Sequence, residues 1–176
     1  MTIQINYKKN TLNNKYKNLV LFVDDKFNIS SLKKHISITE FLYISDLLSN
    51  SDLKKDLLVF KINSKKTIFL ISAKKEIKTS DIENLGAKFH SYINYDKQND
   101  YFINSDTANS KVKNFVGYFL HGIKLKSYEF NIYKSKKSKK IVSINVIGKK
   151  NRISTKDQLR FKALEEGTFF ARDLVS

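Results

Sequence analysis

The chain has 176 residues, 41% of them hydrophobic, which is enough for one domain with an ordinary core. It contains no cysteine, so disulfides, thiolate metal sites and a cysteine nucleophile are excluded. No apolar run approaches the roughly 18 residues that a membrane span needs. The first seven residues do not resemble a signal peptide. We therefore expect a cytoplasmic protein with no membrane partner.

The formal net charge of +16 is the strongest compositional feature, and it raises the question of a nucleic-acid partner. All but three of the 33 basic residues are lysine, and Lys, Asn, Ile, Phe and Tyr are abundant together. These five residue types share A/T-rich codons, so a biased genome would produce the same excess. Specific recognition of phosphates and bases tends to use arginine. Composition bias is therefore the favoured origin of the charge.

The first third of the chain alternates between strand and helix patterns. Alternating apolar residues predict an opening strand, and the continuous apolar run 18–23 predicts a strand that is buried on both faces. Residues 37–48 carry apolar side chains at helical spacing. Ser37 and Glu40 form a capping-box pattern at the start of this helix.

The middle of the chain predicts a hairpin followed by a helix. Two strand-like runs, 56–62 and 67–71, are joined by a short polar link, so we expect a hairpin and a mixed sheet. Ser80 and Glu83 repeat the capping-box pattern and predict the start of a second helix. A short aromatic strand is expected at 101–103.

The last third predicts two more helices around a strong strand. Residues 108–122 have the clearest helical spacing, and 127–133 have an alternating, strand-like character. A strand is expected at 141–147 and a final helix from about 155 to 175. Strands that alternate with helices imply a layered α/β domain.

Residues with catalytic chemistry are few and scattered. Asp24 and Asp25 are the best carboxylate pair, at a strand end, but adjacent strand residues point to opposite faces, so a turn or capping role is favoured. His35, His90 and His121 form no metal-binding pair. Phosphate-binding glycine loops and nucleophile-elbow motifs are absent. The sequence therefore predicts neither a catalytic residue nor a metal ligand.

A basic loop at 134–140 is the remaining candidate for binding. Aromatic residues lie just before it. Five of its seven residues are lysines: Lys134, Lys136, Lys137, Lys139 and Lys140. The favoured interpretation is a solvated hairpin turn whose charge discourages strand pairing. The alternative is a free-standing nucleic-acid-binding α/β module that holds phosphates with these lysines.

Two segments carry a resemblance to a known family. Residues 122–136 read GIKLKSYEFNIYKSK, and residues 163–176 read ALEEGTFFARDLVS. In this order and at this spacing, they resemble the bacterial leucyl (cytosol) aminopeptidases. Asn131 stands where the family usually has Asp, and the basic turn lacks the family's usual proline.

The resemblance implies that residues 1–150 are a non-catalytic, three-layer α/β/α accessory domain and that residues 151–176 begin the interdomain linker helix. It also implies a parent enzyme that removes N-terminal residues from peptides with two divalent metals, zinc or manganese. Those metals belong to a catalytic domain whose NTDAEGR-type motif is not in this chain. We therefore expect the chain alone to be inactive. By resemblance, its partners are the catalytic domain, sister subunits of a homo-hexamer and, in some members, DNA.

Overall fold

The computed structural model describes residues 1–8, 16–129 and 140–175. Within these ranges the strands are β1 (Thr2–Tyr7), β2 (Asn18–Val23), β3 (Leu57–Asn63), β4 (Lys66–Ser72), β5 (Asp100–Asn104) and β6 (Ile141–Ile147). The α-helices of the same ranges are α1 (Ile38–Ser49), α2 (Thr79–Tyr95), α3 (Phe115–Lys126) and α4 (Thr155–Val175). Two 3₁₀ helices, Ser30–Lys34 and Ser105–Thr107, complete the regular structure of this part.

The strands of the described residues form one sheet in the order β1-β6-β5-β2-β4-β3. Only the β3–β4 hairpin pairs antiparallel, and the other neighbours pair parallel. The predicted mixed sheet is therefore confirmed. Strand β2 lies in the interior of the sheet and all six of its residues are buried, as its continuous apolar run predicts.

Helices cover both faces of the sheet, which gives the predicted three-layer α/β/α architecture. On one face, Phe22, Phe69 and Ile144 join the apolar side chains of α2 and α3 in the larger core. On the other face, Leu21 and Leu70 pack with Ile44 of α1. Ser37 and Glu40 make the predicted capping box at the start of α1.

Glycines set the distance between α2 and α3. A β-carbon at Gly86 would overlap the Phe119 carbonyl oxygen, and a β-carbon at Gly122 would overlap the Glu83 carbonyl oxygen. The two helix backbones therefore touch at positions where no larger residue fits.

Two local predictions are wrong, and a third is wrong in the part that the structure describes. The helix predicted over 108–122 begins only at Phe115, because Asn114 adopts a left-handed conformation, with φ of 61°, that an α-helix cannot continue through. Helix α2 begins at Thr79 with Lys78 as its N-cap and no side-chain cap, so Ser80 lies inside the helix rather than at its N-cap, and the Glu83 carboxylate bonds to His121 on α3. In the segment predicted as a strand over 127–133, residues 127–129 are not in a strand, and the rest lies outside the described residues.

Candidate functional site

The carboxyl ends of the parallel strands are the first place to look for a site, because ligands of open α/β sheets bind there. Asp24 follows β2 at this edge. Its Oδ1 accepts hydrogen bonds from the backbone N–H groups of Lys26 (3.1 Å) and Asn28 (2.8 Å). The turn role predicted for this carboxylate is therefore confirmed.

The next stretch of the same edge is filled by the chain's own backbone. The Asp106 carboxylate accepts the backbone N–H groups of Lys149 (2.7 Å) and Lys150. The Ser105 hydroxyl donates to the carbonyls of Ile147 (3.0 Å) and Lys150 (2.7 Å). Gly148 allows this approach because its φ of 114° suits only glycine, and a β-carbon there would meet Ser105. These hydrogen bonds join the segments that follow β5 and β6, so the chain's own backbone fills this part of the sheet edge.

Asp25 lies in a crevice of about 560 Å³ beside the ends of β2 and β4. Asp56 and Lys88 face each other there as an ion pair, and further lysines share the lining with the carboxylates. Acidic and basic groups are interleaved in this crevice, so it does not gather carboxylates around one point.

The three histidines lie in different surroundings. His35 is half-buried, with its Nδ1 3.2 Å from the Asn104 side-chain nitrogen, and burial lowers its pKa against the opposing effect of Asp106. His90 is buried on α2, and neither ring nitrogen has a hydrogen-bond partner. His121 lies inside α3 rather than at its end, because the helix continues to Lys126.

A pair that the sequence analysis missed joins α2 to α3. The His121 Nδ1 lies 2.7 Å from the Glu83 Oε1. The two residues are 38 positions apart, and the only sequence signal, the mid-helix glycines that bring the helices together, does not identify this partner.

A groove of about 350 Å³ lies between β1, α3 and α4. Lys124 reaches across it, pairing with the Glu165 carboxylate at 3.0 Å and donating to the Ile3 carbonyl at 3.1 Å. Tyr7 also lines the groove, and partial burial raises its pKa from 10.0 to about 12. These contacts tie the elements around the groove to one another and present no nucleophile paired with a base.

The described residues do not fit the two-metal centre that the resemblance assigns to the parent. In residues 1–8, 16–129 and 140–175, no group of three or more His, Asp or Glu side chains is placed to hold a metal ion. The carboxylates of Asp24 and Asp106 are already engaged by backbone N–H groups.

Most of the predicted basic loop lies outside the described residues, including Lys134, Lys136, Lys137 and Lys139. Lys140 is described, and its ammonium donates to the Ile93 carbonyl (2.8 Å) and to the Asp96 carbonyl at the end of α2. A cation is favourable at a helix C-terminus, where the last carbonyls lack partners. The Lys140 ammonium therefore binds the carbonyl groups at the C-terminal end of α2.

Helix α4 is the most exposed of the four α-helices in the described residues. Phe161 is its one buried residue, and its ring rests on Gly117 and makes an edge contact with Tyr118 at 5.1 Å between ring centroids. Farther along, Arg172 donates to the Leu125 carbonyl (2.7 Å), and Asp173 accepts from the Tyr128 hydroxyl (2.7 Å). The opposite side of α4 leaves three large apolar side chains in solvent, Leu159, Phe170 and Leu174. No helix in the described part of the chain combines the length and the apolar character needed to cross a membrane.

No family model and no curated protein sequence matches the chain. Among solved structures, it is similar in fold to a point mutant of tomato leucine aminopeptidase, with a TM-score of 0.62 and 14% identity over 92% of this chain and 35% of that chain. It is also similar to a cytosol aminopeptidase from Coxiella burnetii, with a TM-score of 0.60 and 14% identity over 99% of this chain and 33% of that chain. The predicted resemblance is confirmed at the level of the fold. The chain spans about a third of the length of these structures.

Proposed function

We propose that the chain is the N-terminal accessory domain of a metal-dependent leucyl aminopeptidase, and that it contributes to oligomer assembly rather than to catalysis. The observation that carries the proposal is the fold match, which includes almost all of this chain but only a third of either aminopeptidase.

In this proposal residues 1–150 are the accessory domain and residues 151–176 begin the helix that leads to the catalytic domain. The parent removes N-terminal residues from peptides in the cytoplasm by hydrolysis. It uses two divalent metals, zinc or manganese, and works as a homo-hexamer. Its catalytic domain supplies the ligands of both metals.

Sequencing the coding region beyond Ser176 is the first test. We expect an in-frame segment that is rich in carboxylates and carries an NTDAEGR-like motif. A stop codon directly after Ser176 would remove the link to catalysis in the same polypeptide.

An activity assay is the second test. With zinc or manganese supplied, we expect the 176-residue chain to leave a chromogenic leucine amide intact, and co-expression with the downstream segment to restore metal-dependent hydrolysis. Hydrolysis by the purified 176-residue chain would refute the assignment. A mock purification from cells that carry the empty vector controls for contaminating aminopeptidase, because any hydrolysis it shows does not come from this chain.

The nucleic-acid-binding alternative stays a prediction, because four of its five lysines lie outside the described residues. Its test is the salt dependence of duplex DNA binding. The logarithm of the affinity falls linearly with the logarithm of the salt concentration, with a slope of about −0.9 per neutralised phosphate. Replacement of Lys134, Lys136, Lys137 and Lys139 by glutamine would flatten that slope if the loop holds phosphates. An unchanged slope would exclude the loop as the contact.

A further inference from the structure

The groove between β1, α3 and α4 has a buried polar atom in its wall. His121 lines the groove from α3, and its side chain is only 8% exposed. The Nε2 of this ring is shielded from solvent and has no hydrogen-bond partner among the described residues. Buried polar atoms without a partner are rare in folded proteins, because each one has lost its bond to water. A ligand in the groove that bonds to Nε2 would restore what folding removed.

Glu83 determines which kind of hydrogen bond the open nitrogen can make. A carboxylate only accepts, so the His121 Nδ1, which lies 2.7 Å from the Glu83 Oε1, carries the ring proton. In the neutral ring Nε2 is then an acceptor. The bond to Glu83 and the neighbouring ring of Phe161, at 5.6 Å between centroids, hold the imidazole in this orientation. The position next to Nε2 therefore suits a ligand that donates an O–H or N–H group.

The charged side chains of the groove are paired with one another. Lys124 bonds to Glu165 at 3.0 Å, and the Lys162 ammonium lies 3.8 Å from the Glu166 carboxylate. These four are the charged residues of the groove lining, and their charges cancel. A charged ligand would find no uncompensated partner there, so the groove favours a neutral one.

The remaining lining sets the shape and size of such a ligand. Ile5, Leu120, Leu159 and Phe161 supply apolar surface, and the Phe161 ring can pack edge-to-face or offset against a second ring. The volume of about 350 Å³ lies near the lower end of the range for small-molecule sites, about 300–1,000 Å³. The groove therefore has room for a compound of about one ring.

Access to Nε2 depends on the neighbouring side chains. Because the nitrogen is shielded from solvent, a ligand must displace one of them to reach it. Phe161 adjoins the imidazole and is the one buried residue of α4 in the described structure. A small shift of α4 therefore moves this ring without disturbing other buried residues of the helix.

We propose that the groove between β1, α3 and α4 binds a small, neutral ring compound that carries a hydrogen-bond donor such as a phenol hydroxyl. The donor bonds to the Nε2 of His121, and the ring packs against Leu120, Leu159 and Phe161. This binding site goes beyond the role in oligomer assembly proposed above, and neither conclusion depends on the other.

The first test compares p-cresol with toluene, which differ only in the hydroxyl group. Each is titrated into the whole 176-residue chain while NMR follows the Leu methyl groups and the ring nitrogens of His121. We expect saturable shifts at Leu120, Leu159 and His121, and binding of p-cresol that is at least about fivefold tighter, because only p-cresol satisfies Nε2. Equal or weaker binding of p-cresol overturns the proposal, and so do shifts that do not saturate.

His121→Phe tests the acceptor itself. The ring is kept, but the phenol hydroxyl loses its partner, so we expect toluene to bind and p-cresol to lose its advantage. Glu83 is 30% exposed, so water can solvate its carboxylate in this variant. A circular dichroism melt shows whether the variant folds. An unchanged preference for p-cresol in the folded variant would mean that Nε2 is not the contact, which overturns the proposal.

Leu159→Trp tests the location without a change at His121, so it decides the matter even if His121→Phe does not fold. Leu159 is 64% exposed, and a larger side chain there fills the groove from its outer side. We expect binding of p-cresol to weaken by about tenfold or more. Leu42→Trp is the matched control, because Leu42 is 61% exposed on α1 and lies outside the groove lining, and it should leave the affinity unchanged. Undiminished binding by Leu159→Trp would place the ligand elsewhere and overturn the proposal.

Discussion

At the scale of single residues, His90 is buried and neither of its ring nitrogens has a hydrogen-bond partner. Burial lowers its pKa, and the cationic groups of Lys126, Met1 and Lys140 lower it further, against the single opposing carboxylate of Glu129. A buried ring with no hydrogen-bond partner is costly even when it is neutral. In the folded chain the imidazole of His90 is therefore more stable neutral than protonated.

This environment predicts that the chain loses stability in mild acid. The folded-state pKa of His90 lies below its unfolded value of about 6.5, so the unfolded chain binds more protons as the pH falls through that value. The free energy of unfolding should therefore decrease from pH 7 towards pH 5. The lowered pKa of His35 contributes in the same direction.

Urea unfolding of the wild type and of His90→Leu at a series of pH values measures this effect. We expect a smaller loss of stability in acid for the variant and equal or greater stability at pH 7, because leucine needs no hydrogen bond. The same measurement on His35→Leu shows how much a half-buried histidine contributes to the pH dependence. Identical pH dependence in wild type and His90→Leu would mean that His90 is not responsible.

At the scale of elements, glycine-to-alanine substitutions in two different helices should change the stability of the fold in opposite directions. Gly122→Ala places a methyl group against the Glu83 carbonyl and should destabilise the fold by about 1–3 kcal/mol, because α2 and α3 must separate. Gly167→Ala places it in open space on α4 and should stabilise the fold by up to about 1 kcal/mol. Chemical denaturation of both variants, at a concentration where the chain is monomeric, tests the pair. A destabilised Gly167→Ala monomer would contradict the exposed position of that residue.

The attachment of α4 should depend on Phe161. Removal of its ring deletes the contacts with Gly117, Tyr118 and His121, so Phe161→Ala should lower the stability of the fold by about 3 kcal/mol. Hydrogen exchange should accelerate in α4 more than in β2 or β4. Leu164→Ala is a suitable control, because Leu164 is half-exposed on the same helix. Uniform acceleration throughout the molecule would show that α4 does not detach by itself.

At the scale of the whole molecule, polar side chains bridge neighbouring elements at the carboxyl edge of the sheet and in the groove beside α4. The carboxyl edge of the sheet is closed by Ser105 and Asp106, and the groove beside α4 is bridged by Lys124 and Glu165. Helix α4 exposes the large apolar side chains of Leu159, Phe170 and Leu174.

Sequence patterns determined most of the architecture. The uninterrupted apolar run of β2, the polar link of the β3–β4 hairpin and the capping box of α1 predicted their elements, because each depends on residues that are neighbours in the chain. The resemblance carried by residues 163–176 also anticipated the fold relatives. Local patterns suffice wherever the stabilising contacts are local or where an element is buried on all sides.

Tertiary structure decided the features that depend on distant residues. Glu83 looks like the end of a capping box in sequence, but it bonds to His121 instead, since Gly86 and Gly122 bring α2 and α3 into contact. Asn114 interrupts a helical pattern because its backbone is left-handed, which hydrophobic spacing does not encode. The exposure of Leu159, Phe170 and Leu174 likewise follows from which side of α4 Phe161 anchors to α3. Apolar periodicity defines the two sides of a helix, but only packing against the rest of the chain determines which side is buried.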